Sequence, residues 1–180
     1  MDAATVRRRS ARDLLADAAL FVVAVMFGLV TAAFRLDSGV LAGPPWLFVL
    51  DQVAGALGCL ALWWRRRWPV GLAVVLVLLS TFSELVAGAM LVALFTVAVH
   101  RPPRTSVAVL ALSLVSAVGY VLLRPEPEVP AVVLFLFGVT LQGAAVGWGV
   151  VVHQRRRLVE SLLDRAERAE TEAGLRAERA

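Results

Sequence analysis

The sequence predicts an all-α, polytopic membrane protein of about six transmembrane helices, with a C-terminal cytoplasmic coiled-coil helix continuous with the last span. Three observations predict it. Of 180 residues, 59% are hydrophobic and the mean hydropathy is +0.78, well above the roughly half-apolar composition of soluble domains. The apolar residues gather in runs long enough to cross a bilayer. The arginines gather in short clusters between those runs. A pI near 10.8 alone would fit nucleic acid, but flanking arginines are what orient membrane spans. The bilayer, and no nucleic acid, is the expected partner. The sole cysteine, Cys59, lies inside an apolar run, so neither a disulfide framework nor a cysteine metal cluster is expected, and no cofactor is implied.

A membrane-crossing helix needs roughly 20 apolar residues, with about 17 to 25 tolerated. Residues 1–17 read as a basic cytoplasmic N-terminus, where Arg9 and Asp13 are spaced i,i+4 for an ion pair and Asp17 borders the head groups. The first span is Ala18 to Phe34. Its apolar run is long for a signal peptide and further spans follow, so it reads as an uncleaved helix. The second span is Trp46 to Trp64. Trp68 to His100 then covers 33 residues, and one helix of that length would be about 50 Å, too long for a bilayer. "STFSELVAG" (Ser80 to Gly88) supplies polar and small residues for a turn, which splits this stretch into helices over about Trp68–Phe82 and Ala87–Val99. Thr105 to Leu123 and Pro130 to Val152 complete the set, with proline a favoured first residue for the last helix. Residues 18–152 are therefore the transmembrane domain and 153–180 the cytoplasmic linker.

Arginine placement sets the orientation. With the N-terminus inside, the cytoplasmic segments hold Arg7, Arg8, Arg9, Arg12, Arg65 to Arg67, Arg101, Arg104 and Arg155 to Arg157, twelve in all. The outer loops hold two, Arg35 and Arg124, beside Asp37, Glu126 and Glu128. The positive-inside rule requires this asymmetry, and it places both termini in the cytoplasm. The five tryptophans fall near predicted helix ends, where amphipathic rings favour the interface. The outer connections, Arg35 to Pro45, the turn around Glu84 and Arg124 to Val129, are too short to fold as ligand-binding domains. A stimulus must act in the membrane, at its surface or through a partner.

Asp51 and Gln52 sit about a turn and a half into the second span. Intramembrane acids are costly unless paired, protonated or wetted, so Asp51 is either a functional candidate or an interfacial residue near the outer surface. Glu84 reads as a turn residue at the outer hairpin tip. Gln142, mid-span in the last helix, can hydrogen-bond across helices for about 0.6 to 2 kcal/mol. His100 and His153 each close a span ahead of arginines and lack the neighbouring carboxylates a metal or phosphoacceptor role would need. They read as interfacial anchors. No phosphate-binding loop and no nucleophile constellation occurs, so no catalytic residue is expected.

The last span carries Gly143 and Gly147 at GxxxG spacing, with Ala145 and Gly149 as a second small pair, a pattern that lets two helices approach closely in lipid. Beyond Arg157 a heptad places Val159, Ala166, Ala173 and Ala180 at one seam position and Leu162, Ala169 and Arg176 at the other. Arg156 with Glu160, Asp164 with Arg168, and Glu172 with Arg176 are i,i+4 pairs, each worth a few tenths of a kcal/mol. Gly174 is the first expected break, so the last span should continue as one rod into a homodimeric coiled coil.

Taken in order, "WWRRRWPVGLAVVLVLLS", "LVALFTVAVHRPPRTSVAVLAL" and "LLDRAERAETEAGLRAERA" resemble the N-terminal membrane region of two-component sensor histidine kinases of the type common in high-GC Gram-positive bacteria. The likeness covers nearly the whole chain. It implies that a linker such as "RAERAE" leads into a dimerisation helix pair with the phosphoacceptor histidine, and then into an ATP-binding domain. Neither the acceptor motif nor the nucleotide-binding boxes occur in these residues, so none of the family's catalytic residues maps onto this chain. The implied role is a membrane input module that passes a stimulus to a kinase core in cis, with a response regulator downstream. The alternative class is a stand-alone membrane scaffold recruiting a cytoplasmic protein through its charged helix. A transporter is disfavoured because no broken helices or inverted repeat are evident.

Overall fold

A computed structural model describes residues 11–37, 45–65, 67–123 and 130–178, with side chains over 18–31, 33, 49–65, 67–123, 130–169 and 171–172. Among the described residues the secondary structure is entirely helical. The helices are α1 (Ala11–Asp37), α2 (Pro45–Ala61, extended by a 3-10 turn over Leu62–Trp64), α3 (Pro69–Ser80), α4 (Ala87–His100), α5 (Pro103–Leu123) and α6 (Ala131–Glu178). Prolines punctuate the chain. Pro45, Pro69 and Pro103 open their helices and Pro130 directly precedes α6, positions where the missing N–H removes no helical hydrogen bond. The stretch between Trp68 and His100 does divide in two, at a turn over residues 81–86.

The centre of the bundle is α4. It packs against α6, α3, α1, α5 and α2, and Ala89, Ala93, Leu94, Val97 and Ala98 are almost fully buried. Three glycines permit the closest approaches, among them Gly55, where a Cβ would lie 2.7 Å from the Leu85 Cβ. A Cβ on Gly88 would lie 2.7 Å from the Ala24 carbonyl of α1, and one on Gly149 would lie 2.5 Å from the Ala98 Cβ and 2.9 Å from the Phe95 carbonyl. Each crossing therefore requires a residue without a side chain.

Outside the centre, polarity is reversed relative to a soluble protein. Val23 and Leu29 of α1, Val49 and Leu57 of α2, Val115 of α5, and Val132 and Phe137 of α6 are exposed, whereas Asp51, Ser83, Thr96, Ser106, Ser113, Ser116 and Gln142 are buried. Trp63, Trp64, Trp68 and Trp148 are exposed as well. By length and composition two helices are able to cross a membrane, Pro103–Leu123 and the Ala131–Ala169 part of α6. The other apolar stretches among the described residues, Ala18–Thr31, Val49–Trp64, Pro69–Ser80 and Ala87–His100, are shorter.

Two boundaries differ from expectation. Helix α1 begins at Ala11, a turn or more before the apolar run, because "ARDLLADA" has good helix formers and no breaker. Helix α6 runs through Gly174 to Glu178. A single glycine costs only about 1 kcal/mol relative to alanine, less than is needed to stop a helix rich in Ala, Arg, Leu and Glu. The Arg9–Asp13 pair, Asp17, the outer-loop charges and the seam positions Ala173, Arg176 and Ala180 lie outside the residues with described side chains.

Candidate functional site

Four buried polar side chains, Ser106, Ser113 and Ser116 of α5 and Gln142 of α6, gather where α5 packs against α3 and α6. In α5, Ser106, Val109, Ser113 and Ser116 are buried at spacings that put them on one helical face. Ser113 Oγ lies 2.7 Å from Gln142 Oε1 of α6 and 2.8 Å from the Leu110 carbonyl. With one proton, that hydroxyl donates to one of them at a time. Ser116 Oγ donates to the Val77 carbonyl of α3 at 2.7 Å and also meets the Thr81 hydroxyl. This chain of contacts ties three helices together through groups that an apolar surround makes expensive to leave unpaired. Sequence reasoning found Gln142 but missed its serine partner. The serines at i, i+7 and i+10 in an otherwise apolar helix were the available signal.

Asp51 is buried at 6% exposure, and its Oδ1 has no hydrogen-bond partner; nor does Ser83 Oγ, buried in the α3–α4 turn. Asp51 is therefore enclosed by protein and not displayed on the outer surface of the helices. Gln52, its neighbour, is half-buried and faces a gap between α1 and α2 together with Cys59. Glu84 is half-buried in the α3–α4 turn. Among the described residues no group of three or more His, Cys, Asp or Glu is placed to hold a metal ion.

The opposite end of the bundle is where α6 leaves it. His153 Nδ1 donates to the Val99 carbonyl at 2.8 Å, satisfying one of the carbonyls that the end of α4 leaves open. His100 instead bonds within its own helix, to the Thr96 carbonyl at 3.0 Å. Beyond His153 every described side chain of α6 is exposed. Arg168 pairs with Asp164 at 2.5 Å there. Val159, Leu162, Ala166 and Ala169 are exposed on this extension, with Leu158 and Leu163 flanking them as an apolar band.

The two small-residue pairs of α6 separate. Gly149 is buried against α4 and Ala145 is half-buried, whereas a Cβ on Gly143 or Gly147 would meet nothing within 4 Å. The Gly143–Gly147 face thus lies open beside Ala144 and Trp148.

These features define an all-helical bundle with a polar interior seam, an apolar exterior and a long exposed helical extension. Residues 17–158 match the family described as Domain of unknown function (DUF8318), and the chain belongs to that family. The matched region coincides with the packed bundle and ends within the first turns of the extension. Neither the curated proteins nor the solved structures contain a match.

Proposed function

We propose that this chain is the membrane-embedded input module of a two-component sensor histidine kinase, and that α6 is its output rod. The observation that carries this reading is the single unbroken helix from Ala131 to Glu178, packed on α4 along its first half and exposed along its second. A displacement of α6 within the bundle is transmitted along such a rod without an intervening hinge. In this reading all six helices cross the bilayer, with both termini in the cytoplasm. The twelve-to-two arginine split supports that orientation. The exposed apolar exterior and buried polar interior support immersion in lipid.

The lengths of α1, α2 and α4 are compatible with this, and α3, the shortest at 12 residues or about 18 Å, requires a locally thinned bilayer. Helix α1 has 27 residues, and α2 with its 3-10 extension spans Pro45–Trp64, both long enough for a hydrocarbon core of about 30 Å. Helix α4 has 14 residues and spans only about 21 Å. It is enclosed by the other helices, and backbone at membrane depth need not match the bilayer when protein surrounds it.

The module acts as a homodimer in this account. Gly143 and Gly147 form the open contact within the membrane, and Val159, Leu162, Ala166 and Ala169 form the seam beyond it. An exposed apolar band on an isolated helix is unfavourable in water and is covered by pairing with a second copy. The rival reading, a scaffold that recruits a cytoplasmic partner, uses the same band for a different protein.

Grafting residues 1–180 onto a histidine kinase core and inserting residues after Arg157 separates the two. Each inserted residue turns the downstream helix by about 100°. Autophosphorylation should change sharply with one inserted alanine and largely recover with seven, because two turns nearly restore the seam. A flat response across insertions of one to seven residues would remove the signalling-rod reading.

A further inference from the structure

Two groups of arginines meet at the corner where α6 leaves the bundle. Helix α4 ends at His100, Arg101 is extended, and Pro103 opens α5. Helix α6 crosses this end of α4 at Gly149 and is tied to it by His153, whose Nδ1 donates to the Val99 carbonyl. Arg156 lies seven residues past Gly149, and two helical turns return it to nearly the same face. Arg157 lies one turn past His153. The side of α6 that packs on α4 therefore continues beyond the end of α4 as Arg156 and Arg157, alongside the connection that carries Arg101 and Arg104. All four arginines are exposed.

The charge of this corner is positive. Between 52 and 159 every described Asp, Glu, Lys or Arg is an arginine except Glu84, which sits in the α3–α4 turn at the other end of the bundle. The first described acid along α6 is Glu160, one turn beyond Arg156. Residues 1–17 and 66, on the same side of the membrane in the proposed topology, hold five arginines and three aspartates, so they add to the positive charge. The surroundings are amphipathic. The turn over residues 81–86 folds α3 back along α4, which brings Trp68 to the His100 end, and Trp63, Trp64 and Trp68 are exposed. Val107 of α5 and Trp148 and Val151 of α6 continue the exposed surface from the arginines as apolar side chains.

We infer that this corner binds the phosphodiester headgroup of an anionic phospholipid of the inner leaflet. Guanidinium groups match phosphate oxygens in geometry and charge, and each arginine near the membrane surface strengthens the hold on anionic lipid about fivefold. Exposed indole rings suit the head-group level and the apolar side chains suit acyl chains, which favours a lipid over a soluble acidic partner. The inference rests on the membrane-embedded reading. Arg101 and Arg104 belong to the bundle and Arg156 and Arg157 to the rod, so a phosphate held among them joins α6 to the α4–α5 connection where the rod emerges. Binding needs neither a kinase core nor a dimer, so loss of binding and loss of signalling are separate results.

The test uses the full chain in dodecyl maltoside micelles, with bound lipid followed by native mass spectrometry. Phosphatidylglycerol should bind about tenfold or more tightly than phosphatidylcholine of the same chain length. Glycerol 3-phosphate, which carries the phosphate without acyl chains, should not displace it at equal concentration. Arg101→Gln combined with Arg156→Gln should weaken phosphatidylglycerol about tenfold or more and leave phosphatidylcholine unchanged, which also checks that the bundle is folded. Arg165→Gln combined with Arg168→Gln removes the same charge farther along the rod and should change binding less than about twofold. Arg165 lies about 13 Å past Arg156, beyond a screening length of about 8 to 10 Å. Equal affinity for the two lipids, displacement by glycerol 3-phosphate, or equal losses in the two double variants would overturn the inference.

Discussion

Helix α4 is buried on almost every side, whereas α6 beyond His153 is exposed on every described side. The first is an apolar helix held by five neighbours. The second is a charged helix held by its own backbone hydrogen bonds and by residues of high helix propensity. One chain thus contains a segment enclosed by its neighbours and a segment whose described side chains are all exposed. The two meet where Gly149 packs on Ala98 and His153 caps Val99. In the proposed input role, those contacts are where a change of packing around α4 would reach the rod.

The largest effect should come from breaking that junction. Gly149→Leu places its Cβ against the Ala98 methyl and the Phe95 carbonyl, neither of which can rotate away. Overpacking of this kind costs about 1–3 kcal/mol, and immovable neighbours put this site at the upper end. Thermal unfolding in detergent should show a strongly lowered midpoint or loss of folded protein. Gly147→Leu, two residues earlier on the open face, should unfold like the parent. An equal loss for both variants would show that α6 does not pack on α4 through the Gly149 face.

Gly147→Leu should instead act on association. With Cys59 replaced by serine, cysteine at Val159 or Ala166 should crosslink between chains several-fold faster than cysteine at Ser161 or Asp164, and Gly147→Leu should erase most of that difference, because the larger side chain holds the backbones apart. Uniform crosslinking around the helix would mean that the exposed band forms no seam.

Smaller effects grade the interior against the rod. Ser113→Ala removes the contact to Gln142 and should lower stability by about 1 kcal/mol, within the range measured for polar contacts between membrane helices. Asp164→Ala removes an exposed pair on the extension and should change stability by less than about 0.5 kcal/mol. A reversed order in chemical denaturation would mean that the buried polar seam is not what ties α5 to α6.

Much of the helical layout was legible from the lengths of the apolar runs, from Pro130 ahead of α6 and from the polar turn "STFSELVAG"; Pro45, Pro69 and Pro103 also stand at helix starts and were unused signals. What uniform apolar sequence conceals is which face turns inward. Gly143 with Gly147 and Ala145 with Gly149 show the same spacing, yet one pair is open and the other meets α4. Only the register of α6 on its neighbour distinguishes them, and nothing local encodes that register. Asp51 shows the same limit. Its depth along α2 was readable, but its burial depends on the helices that surround it.

The proposed function rests most heavily on all six helices crossing the bilayer, whereas among the described residues two helices have the length and composition to do so by themselves. Thiol accessibility in intact cells tests this directly. In a Cys59→Ser background, single cysteines at Asp37, Arg66, Arg104 and Glu126 are exposed to a membrane-impermeant maleimide. Six crossings predict that Asp37→Cys and Glu126→Cys react at once, while Arg66→Cys and Arg104→Cys react only after permeabilisation. If α5 and α6 alone span the membrane, Asp37→Cys stays on the same side as Arg66→Cys and is protected with it. Protection at position 37 together with reaction at position 126 would contradict the six-helix membrane bundle.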